Sequence, residues 1–190
     1  MLKLQTIVAS TRPGRAGLSI GAWFHDIATA RKEYQAGLID LKAVNLPMFD
    51  EPHHPRMRQY VHQHTKDWSA TIDAADAFVF VMPEYNHGFT APLKNALDYL
   101  SHEWADKPVG FVSYGGVSGG TRAVQLLNPV TGALGLVPAG EVNIPFFAQY
   151  RQDEAFQPPA SFTDSANLML DRIAKLGATL KAGRRELVAA

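Results

Sequence analysis

Residues 75–100 read ADAFVFVMPEYNHGFTAPLKNALDYL, a strand, a turn and a helix in succession. The unbroken apolar run Ala77–Met82 suits a strand covered on both faces of a parallel sheet. Pro83 ends it, because proline donates nothing to a sheet ladder and restricts the residue before it. The turn Pro83-Glu84-Tyr85-Asn86-His87-Gly88 follows, and Pro92 then opens a helix with Leu93, Ala96, Leu97 and Leu100 at helical spacing. Open α/β sheets place ligands where a buried strand feeds a helix through a polar, aromatic, glycine-bearing turn of this kind.

The same alternation extends in both directions. Upstream, Leu2–Ala9 reads as a strand, Ser10–Gly17 as a turn, and the next stretch as a helix with Leu18, Ala22, Trp23, Ile27 and Ala30 inward. A strand over Gly37–Val44, an irregular proline-broken loop over Leu46–Pro52 and a helix over Met57–Ala75, with Tyr60, Trp68 and Ile72 to one side, complete that half. Downstream, Pro108–Ser113 is a fourth apolar run ending in a glycine-rich turn. Thr121–Leu134 reads as a helix kinked near Asn128-Pro129, and Leu136–Ile144 as a fifth strand. Phe146–Pro159 reads as an extended loop, and Ser161–Leu187 as a long amphipathic helix with cap-type Ser161, Thr163 and Asp164 at its start. Repeated strand-then-helix units predict a parallel sheet with helices on both faces. Right-handed crossovers and five strands favour a flavodoxin-like three-layer sandwich of order 2-1-3-4-5, as a single domain over residues 1–190. In that order the turns after strands one, three and four converge on one edge of the sheet.

At 190 residues the chain is long enough for one substantial core. Eighteen basic and eighteen acidic residues cancel, so no overall field draws in nucleic acid or an anionic membrane, and docking as an acidic electron shuttle is disfavoured. The absence of cysteine excludes thiolate nucleophiles, disulfides and cysteine-ligated metal centres. No apolar h-region and no run of membrane-spanning length is present, so a cytoplasmic protein is expected.

The three converging loops carry the chemistry. In Ser10–Gly17, amides at a helix start form an anion site, to which Ser10 adds a hydroxyl and Arg12 and Arg15 add guanidinium groups. Gly14 and Gly17 permit close backbone approach. The spacing fits neither a P-loop nor a dinucleotide fingerprint, so a terminal monophosphate is the better ligand. The plain alternative is a helix capped by Ser10 or Thr11 with two solvated arginines. In Pro83–Gly88, Tyr85 borders a planar ligand, Asn86 offers donor and acceptor, and the amides of Glu84 to Asn86 suit ring acceptors; the alternative is an ordinary turn with Asn86 as a cap. Ser113–Gly120 holds four glycines in eight residues, letting a flat ring approach the main chain, with hydroxyls from Ser113, Tyr114 and Ser118; the alternative is a flexible turn. A phosphate anchor followed by two walls for a planar group is the anatomy of a flavin mononucleotide site.

ASTRPGR (9–15), MPEYNHGFTAPLKNALDYL (82–100) and VSYGGVSGGTRAVQLL (112–127) together resemble the NAD(P)H-dependent FMN reductase family, which includes quinone, chromate and azo-dye reductases. The resemblance covers roughly the first two-thirds of the chain, and the joint occurrence of the motifs is far more specific than any one loop. It implies non-covalent FMN, with the phosphate around Ser10, Arg12, Gly14 and Arg15. The ring would lie against Pro83, Glu84, Tyr85 and Asn86 and the loop holding Ser113, Gly115, Gly116, Ser118 and Gly119. The phosphate loop resembles the family's arginine-bearing variant, Arg15 and Gly17 standing where many members carry Ser and Asn. A homodimer or homotetramer is implied, with the helix over Ala91–His102 as the contact.

The expected function is therefore an FMN-dependent oxidoreductase. It would take hydride from NADPH or NADH and pass electrons to quinones, azo compounds or free flavin in a ping-pong scheme. The cofactor carries the hard chemistry, so no side chain is assigned as catalytic. Amides of the Gly115–Gly119 loop would stabilise negative charge on the reduced ring. The alternatives are a flavodoxin-type electron carrier without direct NAD(P)H activity and an interaction protein with a vacant pocket. Of the seven histidines, His53-His54 and His62-Gln63-His64 are the densest group. Helix neighbours two apart do not share a face, and no matching carboxylate set accompanies them, so no metal is assigned. Nor does the surrounding of Ser113 and Ser118 form the G-x-S-x-G elbow of a serine hydrolase. Trp23, Trp68 and most phenylalanines read as core; Trp104 and Phe146-Phe147 read equally as a substrate opening or as packing.

Overall fold

A computed structural model describes the backbone of residues 1–189 and the side chains of residues 1–184. Strands β1 (Leu2–Val8), β2 (Tyr34–Asp40), β3 (Ala77–Pro83), β4 (Pro108–Tyr114) and β5 (Val137–Ile144) form one sheet in the order β2-β1-β3-β4-β5. Every neighbouring pair is parallel, so the flavodoxin-like topology expected from the alternation is the one observed. Central β3 and β4 are buried at every position, whereas the edge strands are only partly covered, as a sheet sandwiched between helices requires.

The two faces bury different side chains because strand residues alternate. Val79 and Val81 of β3 pack under α1 (Gly17–Thr29) and α6 (Ala160–Ala189), with Ile20, Phe24, Met169, Leu170 and Ile173. Phe78, Phe80 and Met82 face the other way, under α3 (Gln63–Asp73), α4 (Ala91–Asp98) and α5 (Thr121–Ala133), with Trp68, Ile72, Leu93, Leu97 and Leu127. Trp104 belongs to this second core, its ring 4.9 Å from that of Phe78, which assigns it to packing. No helix among the described residues is long and apolar enough to cross a membrane.

Several expectations need correction. On α1 the buried residues are Gly17, Ile20, Gly21, Phe24 and Ala28, while Leu18 and Ala30 are exposed and Ala22, Trp23 and Ile27 lie at the flank. The inner face is the stripe Ile20, Phe24 and Ala28, rotated around the helix from the set expected and flanked by Gly17 and Gly21. A Cβ on Gly21 would stand 2.5 Å from Val8 Cγ2, so the helix lies against β1 only because that side chain is absent. The second strand starts earlier than expected and stops at Asp40, which caps the short helix α2 (Leu41–Val44) by accepting from Lys42 N at 3.0 Å. Only the second half of Met57–Ala75 is α-helical. A 3₁₀ turn at Pro55–Met57 precedes it, and Tyr60 lies outside the helix, its hydroxyl donating to buried Glu103 at 2.8 Å. Leu100 lies beyond the end of α4 but is buried all the same. The stretch read as an extended loop contains a 3₁₀ turn (Phe147–Tyr150) and a hairpin of β6 (Arg151–Gln152) and β7 (Ala155–Phe156). His62 precedes α3 in an extended conformation, so its ring does stack on that of His64, 5.2 Å between centroids.

Candidate functional site

The β1–α1 loop is open where an anion would sit. α1 starts after Ala16, which supplies no side-chain cap, so neither Ser10 nor Thr11 plays the capping role. The amides of Gly17, Leu18 and Ser19 therefore point out of the helix without intrahelical acceptors, at the positive end of its dipole. Ser10 is fully buried beside them; the Tyr114 hydroxyl stands near its Oγ, but among the described residues that oxygen has no well-aligned hydrogen-bond partner. Gly17 closes the cradle: a Cβ there would lie 2.2 Å from Ser10 Oγ and 2.6 Å from the Tyr114 hydroxyl, so any larger residue must push those hydroxyls aside. Gly14 turns the chain at φ +68°. Arg12 is exposed; it lines, with Gly14, Arg15, Lys42 and Arg151, a cleft of about 450 Å³.

Arg15 has a different position from Arg12. Its guanidinium grips the Asp40 carboxylate with both terminal nitrogens and donates to the Ser10 carbonyl. This pairing holds Asp40 below the ordinary carboxylate range, the Arg15 hydrogen bond outweighing burial. Arg15 thus braces the loop against the end of β2. Asp40 was not legible as a site residue, because nothing in the sequence relates two positions so far apart.

In the second loop Tyr85 and Gly88 exchange backbone hydrogen bonds of 3.0 and 2.9 Å, with Asn86 (φ +49°) and His87 (φ +70°) both left-handed between them, the geometry of a tight hairpin turn. Glu84 N donates to Tyr114 O at 2.9 Å. The amides of Glu84 and Tyr85, expected to meet a ring, are therefore engaged by the protein, and among the described residues Asn86 alone of the three keeps its amide free of protein acceptors. Asn86 is not the cap of α4 either. Thr90 is: its Oγ1 donates to Ala9 O at 2.9 Å and accepts from Leu93 N, tying this loop to the first. Tyr85 is 40% exposed, so its ring remains available.

The glycine-rich loop is held from beneath. Ser113 is fully buried, its Oγ 2.9 Å from Gly119 O and 2.7 Å from Asn143 Oδ1; it supports the loop rather than facing outward. Gly120 (φ +90°) admits no Cβ, which would fall 2.6 Å from Ser113 Cβ. Gly115 donates to Ile144 O and Gly119 to Gly116 O. The amides of Gly116, Val117 and Ser118 donate to no acceptor among the described residues. Ser118 Oγ accepts from Arg122, and the Glu84 carboxylate pairs with that same arginine. Burial opposes ionisation of Glu84, yet Arg122 keeps its carboxyl below the ordinary value. Tyr114 is buried at the junction of all three loops, and burial pushes its phenol well up. Phe146 is exposed at φ +50° beside the loop, its amide donating to Gly116 O. Thr90 and Arg122 had no signal beyond residue type. Among the described residues no group of three or more His, Asp or Glu is placed to hold a metal.

The chain matches the family described as NADPH-dependent FMN reductase over residues 2–149. It is 40% identical over 129 residues to an NAD(P)H-dependent FMN reductase of a Nectria species, an alignment covering 65% of this chain and 64% of that protein. It is 41% identical over 104 residues to an NADPH:quinone oxidoreductase of Arabidopsis thaliana, covering 53% of this chain and 49% of that one. The chain thus spans between about half and two-thirds of the length of these relatives. Its fold is similar to that of a flavoenzyme NAD(P)H:(acceptor) oxidoreductase from Paracoccus denitrificans, with TM-score 0.75, 18% identity, and 94% of this chain and 98% of that chain covered.

Proposed function

The chain belongs to the NADPH-dependent FMN reductase family, and on that premise we propose that it is an FMN-dependent oxidoreductase using NADPH or NADH to reduce small acceptors. One observation carries the reading: a wholly buried serine hydroxyl with no well-aligned partner among the described residues, beside the uncapped amides of a helix start and against a glycine where a Cβ would crowd that hydroxyl. A phosphate supplies the acceptor oxygens that all these donors lack.

When bound, FMN supplies hydride acceptance from the nicotinamide and onward reduction of a quinone, azo compound or free flavin, in a ping-pong order. The residues of the chain do the rest. Ser10, Arg12 and the first amides of α1 hold the phosphate, Gly14 lets the loop curl over it, and Arg15 fixes the loop through Asp40. Pro83, Tyr85 and Asn86 form one wall of the ring slot. Gly115, Gly116 and Gly119 would form the other, and the free amides of Gly116 to Ser118 would donate to negative charge on the reduced ring. Glu84, Ser113 and Ser118 hold these walls from behind. Residues 1–190 act as one FMN-binding unit, in a homodimer or homotetramer assembled along α4.

The test is to purify the protein, titrate it with FMN and add NADPH without oxygen. A yellow protein that bleaches and regains colour with a quinone is the expected result. A protein that neither binds added FMN nor oxidises NADPH overturns the assignment. One that binds FMN but is reduced only by a partner protein is a carrier instead.

A further inference from the structure

Glu84 leaves the end of β3 and Arg122 is the second residue of α5, yet the two meet. The Glu84 side chain is only 5% exposed. Its carboxylate accepts from Arg122 Nε at 2.6 Å and from the Arg122 backbone amide at 3.2 Å, and pairs with Nη2 as well. That amide is one of the open donors at the start of α5, whose N-cap, Gly120, has no side chain to offer. Glu84 therefore caps a helix distant in sequence and sets a negative charge beside its positive end. Arg122 reaches on to Ser118 Oγ at 3.0 Å, while Glu84 N holds Tyr114 O at 2.9 Å. The two walls of the slot are thus locked to each other by a carboxylate inside and a guanidinium that is 43% exposed.

We propose that Glu84 and Arg122 are positioning residues that form a charge clamp. The clamp sets the electric field on the flavin ring and so how much more tightly the reduced cofactor is held than the oxidised one. This rests on the reading of the site as an FMN site. A ring that accepts a hydride gains one negative charge. With the pair intact, the carboxylate cancels the guanidinium, and the α5 dipole and the free amides of Gly116 to Ser118 decide the balance. Glu84→Gln leaves the positive charge and the helix end uncancelled and favours the reduced cofactor. Arg122→Gln leaves a buried carboxylate beside the slot and disfavours it. A role confined to shape would move both variants in the same direction.

The experiment measures FMN dissociation constants, in oxidised solution and after anaerobic reduction, for the wild type, E84Q, R122Q and the double variant. The ratio of oxidised to reduced constants is expected to rise about tenfold in E84Q and fall about tenfold in R122Q. In the double variant it returns to within about threefold of wild type. Should R122Q not fold, R122K serves: it keeps the charge but not the fork, so the ratio holds while amide exchange over residues 114–120 of the flavin-free protein quickens. Shifts of the same sign in the two single variants, or an unchanged ratio in both, overturn the clamp while leaving the FMN reading intact. A wild type that binds FMN in neither state overturns both.

Discussion

Replacing Ser10 by alanine separates stability from function. The side chain is wholly buried, and among the described residues its oxygen has no well-aligned partner. Burying a hydroxyl unpaired costs about 1–3 kcal/mol, and removing one oxygen leaves almost no cavity. The flavin-free variant is therefore expected to gain about 1 kcal/mol. In the bound protein the same hydroxyl donates to a charged acceptor, worth about 1.5–3 kcal/mol. Losing about 2 kcal/mol weakens FMN about thirtyfold. With FMN at about 100 times the wild-type dissociation constant, the wild type gains about 2.7 kcal/mol and the variant about 0.9 kcal/mol. The order of stability thus reverses on adding FMN. Urea unfolding with and without FMN, together with quenching of FMN fluorescence, measures both halves. A flavin-free variant less stable by more than about 1 kcal/mol, or an unchanged FMN dissociation constant, refutes the argument.

Three other perturbations follow from particular contacts. Asp40 is held below its ordinary value by Arg15, so its contribution is present above the unfolded carboxylate pKa and lost as pH falls through the folded one; Asp40→Asn makes the fall in urea midpoint below about pH 4 shallower, and parallel curves contradict this. Lys107, buried with its Nζ on the carbonyls of Ile72 and Asp73, has its pKa lowered by burial from 10.5 to about 8. The unfolded chain binds more protons between those values, so this group adds stability as pH rises through the window, and Lys107→Met should lose that rise relative to wild type in urea titrations at both ends. Thr90→Val removes the donor to Ala9 O and the cap of α4 together, and should cost about 1–3 kcal/mol in urea unfolding; a loss below about 0.5 kcal/mol would show that the two loops are tied elsewhere.

The order of strands was legible because period and punctuation are local. The buried runs Ala77–Met82 and Pro108–Ser113 could only be central strands, and the turns after them could only fall on one edge. The open helix start after β1 was legible for a similar reason, since helix starts advertise their amides through glycine and hydroxyl residues. What stayed hidden depended on distance in the chain. On α1 two apolar stripes compete, Ala22-Trp23-Ile27 and Ile20-Phe24-Ala28, and the second is buried because Gly17 and Gly21 beside it let the helix close on β1. Arg15 was read as a phosphate ligand, yet it closes on Asp40 across twenty-five positions. Glu84 was read as a ring contact, yet its carboxylate is spent on Arg122, thirty-eight positions on. By itself the sequence determined the order of the sheet and its central strands and which loops gather, because those follow from local sterics and burial. Only the tertiary structure decided which charges stay open and which face each other, since a charge is committed by its nearest opposite, and folding alone brings that neighbour near.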